Sequence, residues 1–225
     1  MVMLSFDAHG QMGWRRVRGY SFARNTSLIA IAGDEMPSLA QDMPIAFGKR
    51  STQWQAVAVL GPVPGVNLHV QADGSWRGGC VPALLRSYPF QLSPDRKALA
   101  FWPNYWPETP GAAGVEPFFE HGQLSSVLAA TLSFLQDRQQ AIDQLGVLLS
   151  WLAQRRLLRP WQVPHAVETA DHNRHANLFA VDRHGLEALD EADWFALNRL
   201  MPVSTALRLL QAHLSSLHHA QYFKF

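Results

Sequence analysis

The sequence predicts an α+β fold: an antiparallel β-rich N-terminal half packed on a helical C-terminal half. Short apolar runs punctuated by Pro and Gly fill residues 14–102, which is the spacing of strands joined by tight antiparallel connections. From residue 123 onward apolar residues recur every three or four positions, the period of a helix. The period changes across 103–122, a Pro-rich aromatic stretch that reads as a connection. The expected organisation is a β-rich lobe over 1–102, the connection 103–122, and a helical lobe over 123–225 with a β-hairpin insertion. Together they are expected to form one cooperative unit, two independent domains joined by the Pro-rich segment being the alternative.

The 225 residues suffice to bury roughly 70% of the unfolded chain's surface, so the core needs no covalent staples. A hydrophobic share of 48% against 16% charged residues is that of a globular chain. With 19 Lys and Arg against 18 Asp and Glu, the net charge of +1 points away from nucleic acid and anionic lipid. The single cysteine, Cys80, makes no internal disulfide and reads as a small core residue. The start, MVMLSFDAHGQMGWRR, lacks the basic region, apolar run and cleavage site of a secretory signal. No run approaches the ~18 apolar residues of a membrane span, so the expected compartment is the cytoplasm.

Along the first lobe, Trp14–Phe22 reads as an edge strand whose arginines face solvent. Leu28–Ala32 is a buried strand. Gly33-Asp34-Glu35 opens a short helix to about Gln41, with its acids at the positive end. Pro44–Phe47 and Trp54–Leu60 are strands, the second closed by Gly61-Pro62. Asp73-Gly74 predicts a type I′ hairpin between Asn67–Val70 and Trp76. Pro82 suits the first turn of a helix over Ala83–Arg86. Tyr88–Leu92 and Ala98–Trp102 pair across Ser93-Pro94-Asp95, giving about seven strands before residue 102.

The connection carries Trp102, Tyr105, Trp106, Phe118 and Phe119 beside Asn104, Glu108 and Glu116. These aromatics either stack a sugar or other flat ligand, or pin the connection to its lobe. Beyond it, Leu124, Val127, Leu128, Leu132 and Leu135 predict one amphipathic helix, and Ile142, Leu145, Leu148, Leu149 and Leu152 a second that Pro160 stops. Gly146 within it marks a close crossing. Trp161–Asp182 reads as a hairpin with its turn near Asp171–Arg174, projecting from the helical layer. His165, His172, His175 and His184 lie around it without the spacing of a known metal motif. Asp190 is placed to cap a helix over Glu191–Leu200. After Pro202 another helix starts, with Ser204 or Thr205 at its cap and a stripe of Leu207, Leu210, Leu214 and Leu217. His213 beside that stripe reads as a hydrogen-bonded core or interface residue, because Ser215 two positions on points elsewhere on a helix.

The order of turn and packing signals is more specific than any one of them. Leu60-Gly61, Asn67-Leu68, Asp73-Gly74-Ser75-Trp76, Val81-Pro82, Arg86 and Tyr88-Pro89-Phe90 follow one another. Pro44-Ile45-Ala46-Phe47 precedes them, and Leu157-Leu158-Arg159-Pro160-Trp161 and Ala212–Leu217 come later. This order, from about Pro37 to Leu217, resembles the SapC family of bacterial proteins. Cys80 stands where that pattern leads one to expect an aromatic. The resemblance implies a fold but no reaction, since the family takes its name from a surface-array locus and has no established activity.

The leading functional expectation is a non-catalytic binding or accessory protein, without a cofactor, for a protein partner or a surface glycan. Eight tryptophans in the chain motivate it, as does the lack of a catalytic motif such as GxSxG. Trp54, Trp76, Trp102, Tyr105 and Trp106 are the expected contacts. Arg86 either meets an anion or carboxylate or donates to turn carbonyls. The alternative is a metal- or cofactor-dependent enzyme built in the His165–His184 region with Glu168 or Asp171. A third expectation is a homo-oligomer joined through the C-terminal helix and the Tyr222–Phe225 tail. A signal-independent route to the cell surface is the alternative to the cytoplasm.

Overall fold

The computed structural model describes residues 2–103, 105–109, 112–163 and 177–222. In chain order its elements are α1 (Phe6–His9), β1 (Gly13–Arg15), β2 (Leu28–Ile31), α2 (Met36–Leu39), β3 (Ile45–Arg50), β4 (Gln53–Val59), α3 (Ala83–Arg86), β5 (Phe90–Leu92), β6 (Leu99–Phe101), β7 (Val115–Pro117), β8 (Phe119–Glu120), β9 (Gln123–Leu124), α4 (Ser126–Gln154), β10 (Leu158–Pro160), β11 (Phe179–Val181), α5 (Arg183–Glu187), α6 (Glu191–Leu200) and α7 (Val203–Ser216). Every strand pair among the described residues is antiparallel. The fold is α+β, with sheets mostly in the N-terminal part and the longer helices after them. No helix of the described residues is long and apolar enough to cross a membrane. By its contacts the chain divides into two compact units, Met1–Gly19 with Leu84–Gln139 and Tyr20–Ala83 with Gln140–Phe225.

The first unit holds three two-stranded ladders, β1 with β7, β5 with β6, and β8 with β9. Its core is aromatic: Phe118 is fully buried, with ring centroids 5.5 Å from Phe101 and 6.2 Å from Phe90. The Pro-rich connection is therefore partly strand, because Val115, Glu116 and Pro117 pair with Arg15, Trp14 and Gly13. That pairing joins residues about a hundred positions apart, which no local pattern reports. The strand expected over Trp14–Phe22 ends at Arg15. Gly19 at φ +81° turns the chain, and Ser21–Ala23 forms a 3-10 turn.

The second unit is built on a five-stranded sheet ordered β10-β11-β3-β4-β2. Ile45, Ala46, Phe47, Ala56, Val57, Ala58 and Val59 are all buried along its central hairpin. The strands before residue 102 number six in the two units together. The Asp73-Gly74 turn forms, but with only Gly74 at positive φ (85°). Gly74 N–H donates to Gln71 O and Gln71 N–H donates to Ser75 O. This is a type I turn with a glycine bulge, not type I′, since Asp73 avoids the left-handed region. The return strand of the expected 161–182 hairpin forms as β11, but its partner β10 is Leu158–Pro160, just ahead of the expected first strand, with Arg159 opposite Ala180. They do not project from a helical layer: β11 joins the sheet through Phe179 opposite Phe47. The turn itself lies outside the described residues.

The two helices expected over 124–152 are one, α4. Asp137 to Ala141 between their apolar stripes holds no Gly or Pro, so nothing breaks the backbone ladder. Nor does Pro160 stop it. Arg156 turns left-handed at φ +57°, Arg156 N–H donates to Ala153 O and Leu157 N–H to Leu152 O, which is a Schellman end. Gly146 marks a close approach to a strand backbone: a Cβ there would sit 2.7 Å from Trp54 O. Helix propensity alone would make Gly146→Ala stabilising by about 1 kcal/mol. Overpacking against a carbonyl that cannot move costs about 2 kcal/mol, so chemical denaturation should show a net loss of about 1 kcal/mol.

Asp190 caps α6 as expected, its carboxylate accepting from Asp193 N–H at 2.8 Å. The start of α7 has no side-chain cap from Ser204 or Thr205, and Pro202 occupies the capping position. Its buried face is Ala206, Leu209, Leu210, Ala212, His213 and Ser216, so of the expected stripe Leu210 is buried, Leu214 and Leu217 are half-buried and Leu207 is exposed. Small and polar side chains line that face because two of them bond to strand backbone, as described below.

Candidate functional site

The six expected contact residues are divided between the two units. Trp54 and Trp76 lie in the second unit, both half-buried and both occupied by packing. Trp54 meets Phe179 edge-on at 5.1 Å, with Lys49 Nζ 4.9 Å from its ring. Trp76 stacks on His69 at 5.2 Å and donates from Nε1 to Cys80 O. Trp102, Tyr105, Trp106 and Arg86 lie in the first unit. Tyr88, which sequence reasoning placed only in a strand, joins Trp102 and Tyr105, with centroids 5.8 and 6.0 Å away. Burial pushes the Tyr105 phenol up to about 12. Arg86 is exposed, its guanidinium 5.9 Å from the Phe134 ring rather than on a turn carbonyl. Trp106 differs from all of these in being 81% exposed.

Beside Trp106 in the chain, Pro107, Glu108 and Thr109 form one wall of a cleft of about 430 Å³ in the first unit. The other wall is α1 and the turn after it, which bring Phe6, Asp7, Gln11 and Met12 to the surface. The walls are pinned together by paired backbone bonds. Gly13 N–H donates to Glu108 O at 3.0 Å and Glu108 N–H donates to Gly13 O at 2.8 Å. Gly13 is required on the opposite side, where a Cβ would fall 2.6 Å from Glu116 O. Phe6 is held edge-on against Phe119 at 5.3 Å while half its surface stays exposed.

The electrostatics of the two acids in the cleft differ. Glu108 accepts from Arg15 Nη2 at 3.0 Å and from Nε at 3.2 Å, so its charge is matched. Arg15 is further tied to Ala113 O at 2.7 Å. Asp7 is exposed and has no hydrogen-bond or ionic partner among the described residues. Among the described residues no Lys or Arg lines the cleft. Sequence reasoning missed this site because its walls come from residues 6–12 and 107–109. Sequence reasoning named Trp106 and Glu108 on one side, but nothing in residues 6–12 announced the opposite wall.

The histidines differ in burial and partners. His213 is fully buried; its Nδ1–H donates to Ile45 O at 2.8 Å and its Nε2 accepts from Val181 N–H at 3.1 Å. Burial lowers its pKa to about 4, and both nitrogens are spent on backbone. His69 donates from Nδ1 to Arg77 O at 3.0 Å and is held below the usual imidazole range by burial. Asp42 accepts from the backbone N–H groups of Gly79 and Cys80 at 2.7 and 3.0 Å. His184 is exposed, its side chain 93% accessible and 3.8 Å from Glu187. His165, Glu168, Asp171, His172 and His175 lie outside the described residues, as does Asn104. Among the described residues no three His, Cys, Asp or Glu side chains come together to hold a metal.

Fold and cleft together define an α+β protein with a surface cleft of mixed apolar and polar lining. The chain belongs to the SapC family, whose model matches residues 4–222. No curated protein and no solved structure matches it.

Proposed function

We propose that this SapC-family chain is a non-catalytic binding or accessory protein whose cleft in the first unit takes a surface glycan. The observation that carries the reading is the pairing of an almost fully exposed Trp106 with a neighbouring cleft lined by Phe6 and Met12 as well as Asp7, Gln11 and Thr109. A sugar ring offers apolar C–H faces and a rim of hydroxyls, and that lining supplies both kinds of partner. An extended segment of a protein partner suits it less well. The backbone of Met12, Gly13 and Glu108 is already bonded within the protein, so no free strand edge invites addition there. The compartment proposed is the cytoplasm, where such a glycan would be met before export. A surface location by a signal-independent route would put the same cleft against the finished array.

Calorimetric titration with a panel of short oligosaccharides tests the reading. Trp106→Ala should weaken binding about tenfold, the ordinary loss for an exposed aromatic anchor, with an unchanged melting temperature. Equal affinity of wild type and variant for every sugar would overturn it.

A further inference from the structure

We propose that the cleft selects a saccharide carrying a free amine, with the Asp7 carboxylate as the group that selects it. This rests on the reading of the cleft as a glycan site and names the ligand more closely. Glu108 lies in the same cleft but its charge is balanced by the Arg15 guanidinium. Among the described residues Asp7 has no such partner and no Lys or Arg lines the cleft. The lining thus carries one uncompensated negative charge. An anionic sugar, whether uronate, phosphate or sialate, is repelled by it. A neutral or N-acetylated sugar can donate a hydrogen bond to it but leaves its charge unbalanced.

An ammonium on a sugar meets Asp7 with a charge-assisted hydrogen bond, roughly twice as strong as a neutral one. The rest of the lining orients such a ring. Phe6, fixed by its edge contact with Phe119, offers one apolar face and Met12 another. Gln11 from one wall and Thr109 from the other supply hydrogen-bonding partners for hydroxyls. A lysine of a peptide would bring the same ammonium. It would also bring backbone polar groups that the internally bonded rim leaves unpaired.

The test is calorimetry on the full chain with two probes, a β-1,4-linked glucosamine tetrasaccharide and its fully N-acetylated counterpart. The free-amine sugar should bind about ten- to hundredfold tighter, and the margin should shrink with added salt. Asp7→Asn should remove the preference, and Asp7→Glu, which keeps the charge, should retain most of it. Asp7 is exposed and unpaired, so both variants should melt with the wild type. Equal affinity for the two sugars, or a preference that survives Asp7→Asn, would overturn the inference. So would tighter binding of a lysine-bearing peptide than of either sugar. If the N-acetylated sugar binds as well and still depends on Trp106, selection by amine falls while the glycan reading stands. If neither sugar binds, and no member of the oligosaccharide panel does, both fall.

Discussion

His213→Leu should cost about 4 kcal/mol of folding stability, the largest loss expected from any single polar replacement in the second unit. Phe47 and Phe179 are opposed in the pairing of β3 with β11, and two positions further along that antiparallel register Ile45 comes opposite Val181. There the strands do not bond to each other. The imidazole sits between them instead, donating to Ile45 O and accepting from Val181 N–H. Ser216 completes the arrangement, its hydroxyl accepting from Ile45 N–H at 2.9 Å. Leucine would fill the space and keep the contact with Phe47, whose ring lies 4.1 Å from the imidazole. It would leave a buried carbonyl and a buried N–H unpaired, at about 1–3 kcal/mol each. His213→Gln, which can donate and accept, should recover about half the loss.

The same residue sets an acid limit. Its ordinary pKa of 6.5 applies in the unfolded chain and about 4 in the folded one. The unfolded state therefore binds the extra proton between these values. Stability is complete above pH 6.5 and falls as pH drops through about 4, by roughly 3 kcal/mol in all. His69 and His219, also lowered chiefly by burial, act in the same direction. Denaturant unfolding between pH 7 and 4 should show this slope in wild type and a shallower one in His213→Leu. Parallel slopes would contradict the assignment.

Gly61→Ala should cost about 3 kcal/mol even though Gly61 has an ordinary φ. A Cβ there would lie 2.1 Å from Val66 O and 2.8 Å from Val66 C, both backbone atoms. The loop cannot give way. Leu68 N–H donates to Leu60 O, and the buried Asn67 amide donates to Ala23 O while its oxygen accepts from His69 N–H. Gly65 in the same loop is the control: its φ is +78° but nothing lies within 4 Å of its would-be Cβ. Gly65→Ala should lose only about 1 kcal/mol, the cost of a left-handed alanine. If the two variants melt together, close approach is not what Gly61 provides.

What could be read from the chain followed the range of the physics behind it. The bounds of α3 and α6 were legible because Pro82 and Asp190 act on the next few residues. The family-typical glycine turn at Leu60-Gly61 was visible too, although its reason, contact with Val66, needed the fold. The pairing of β7 with β1 was hidden, since it depends on partners a hundred residues apart. The single helix α4 was hidden because a change of apolar face mimics a break. Trp106 could be named in advance, as an aromatic in a Pro-rich stretch, but not told apart from Trp54 or Trp76, whose rings are spent on packing. The cleft had no sequence signature because neither wall is a site without the other.

The glycan reading is tested most directly by amide chemical-shift mapping while the glucosamine tetrasaccharide is titrated in. The account predicts shifts centred on residues 6–12 and 105–109, with the sugar recovered intact at the end. Shifts centred on Trp54 or Trp76, or a sugar cleaved or modified during the titration, would contradict it.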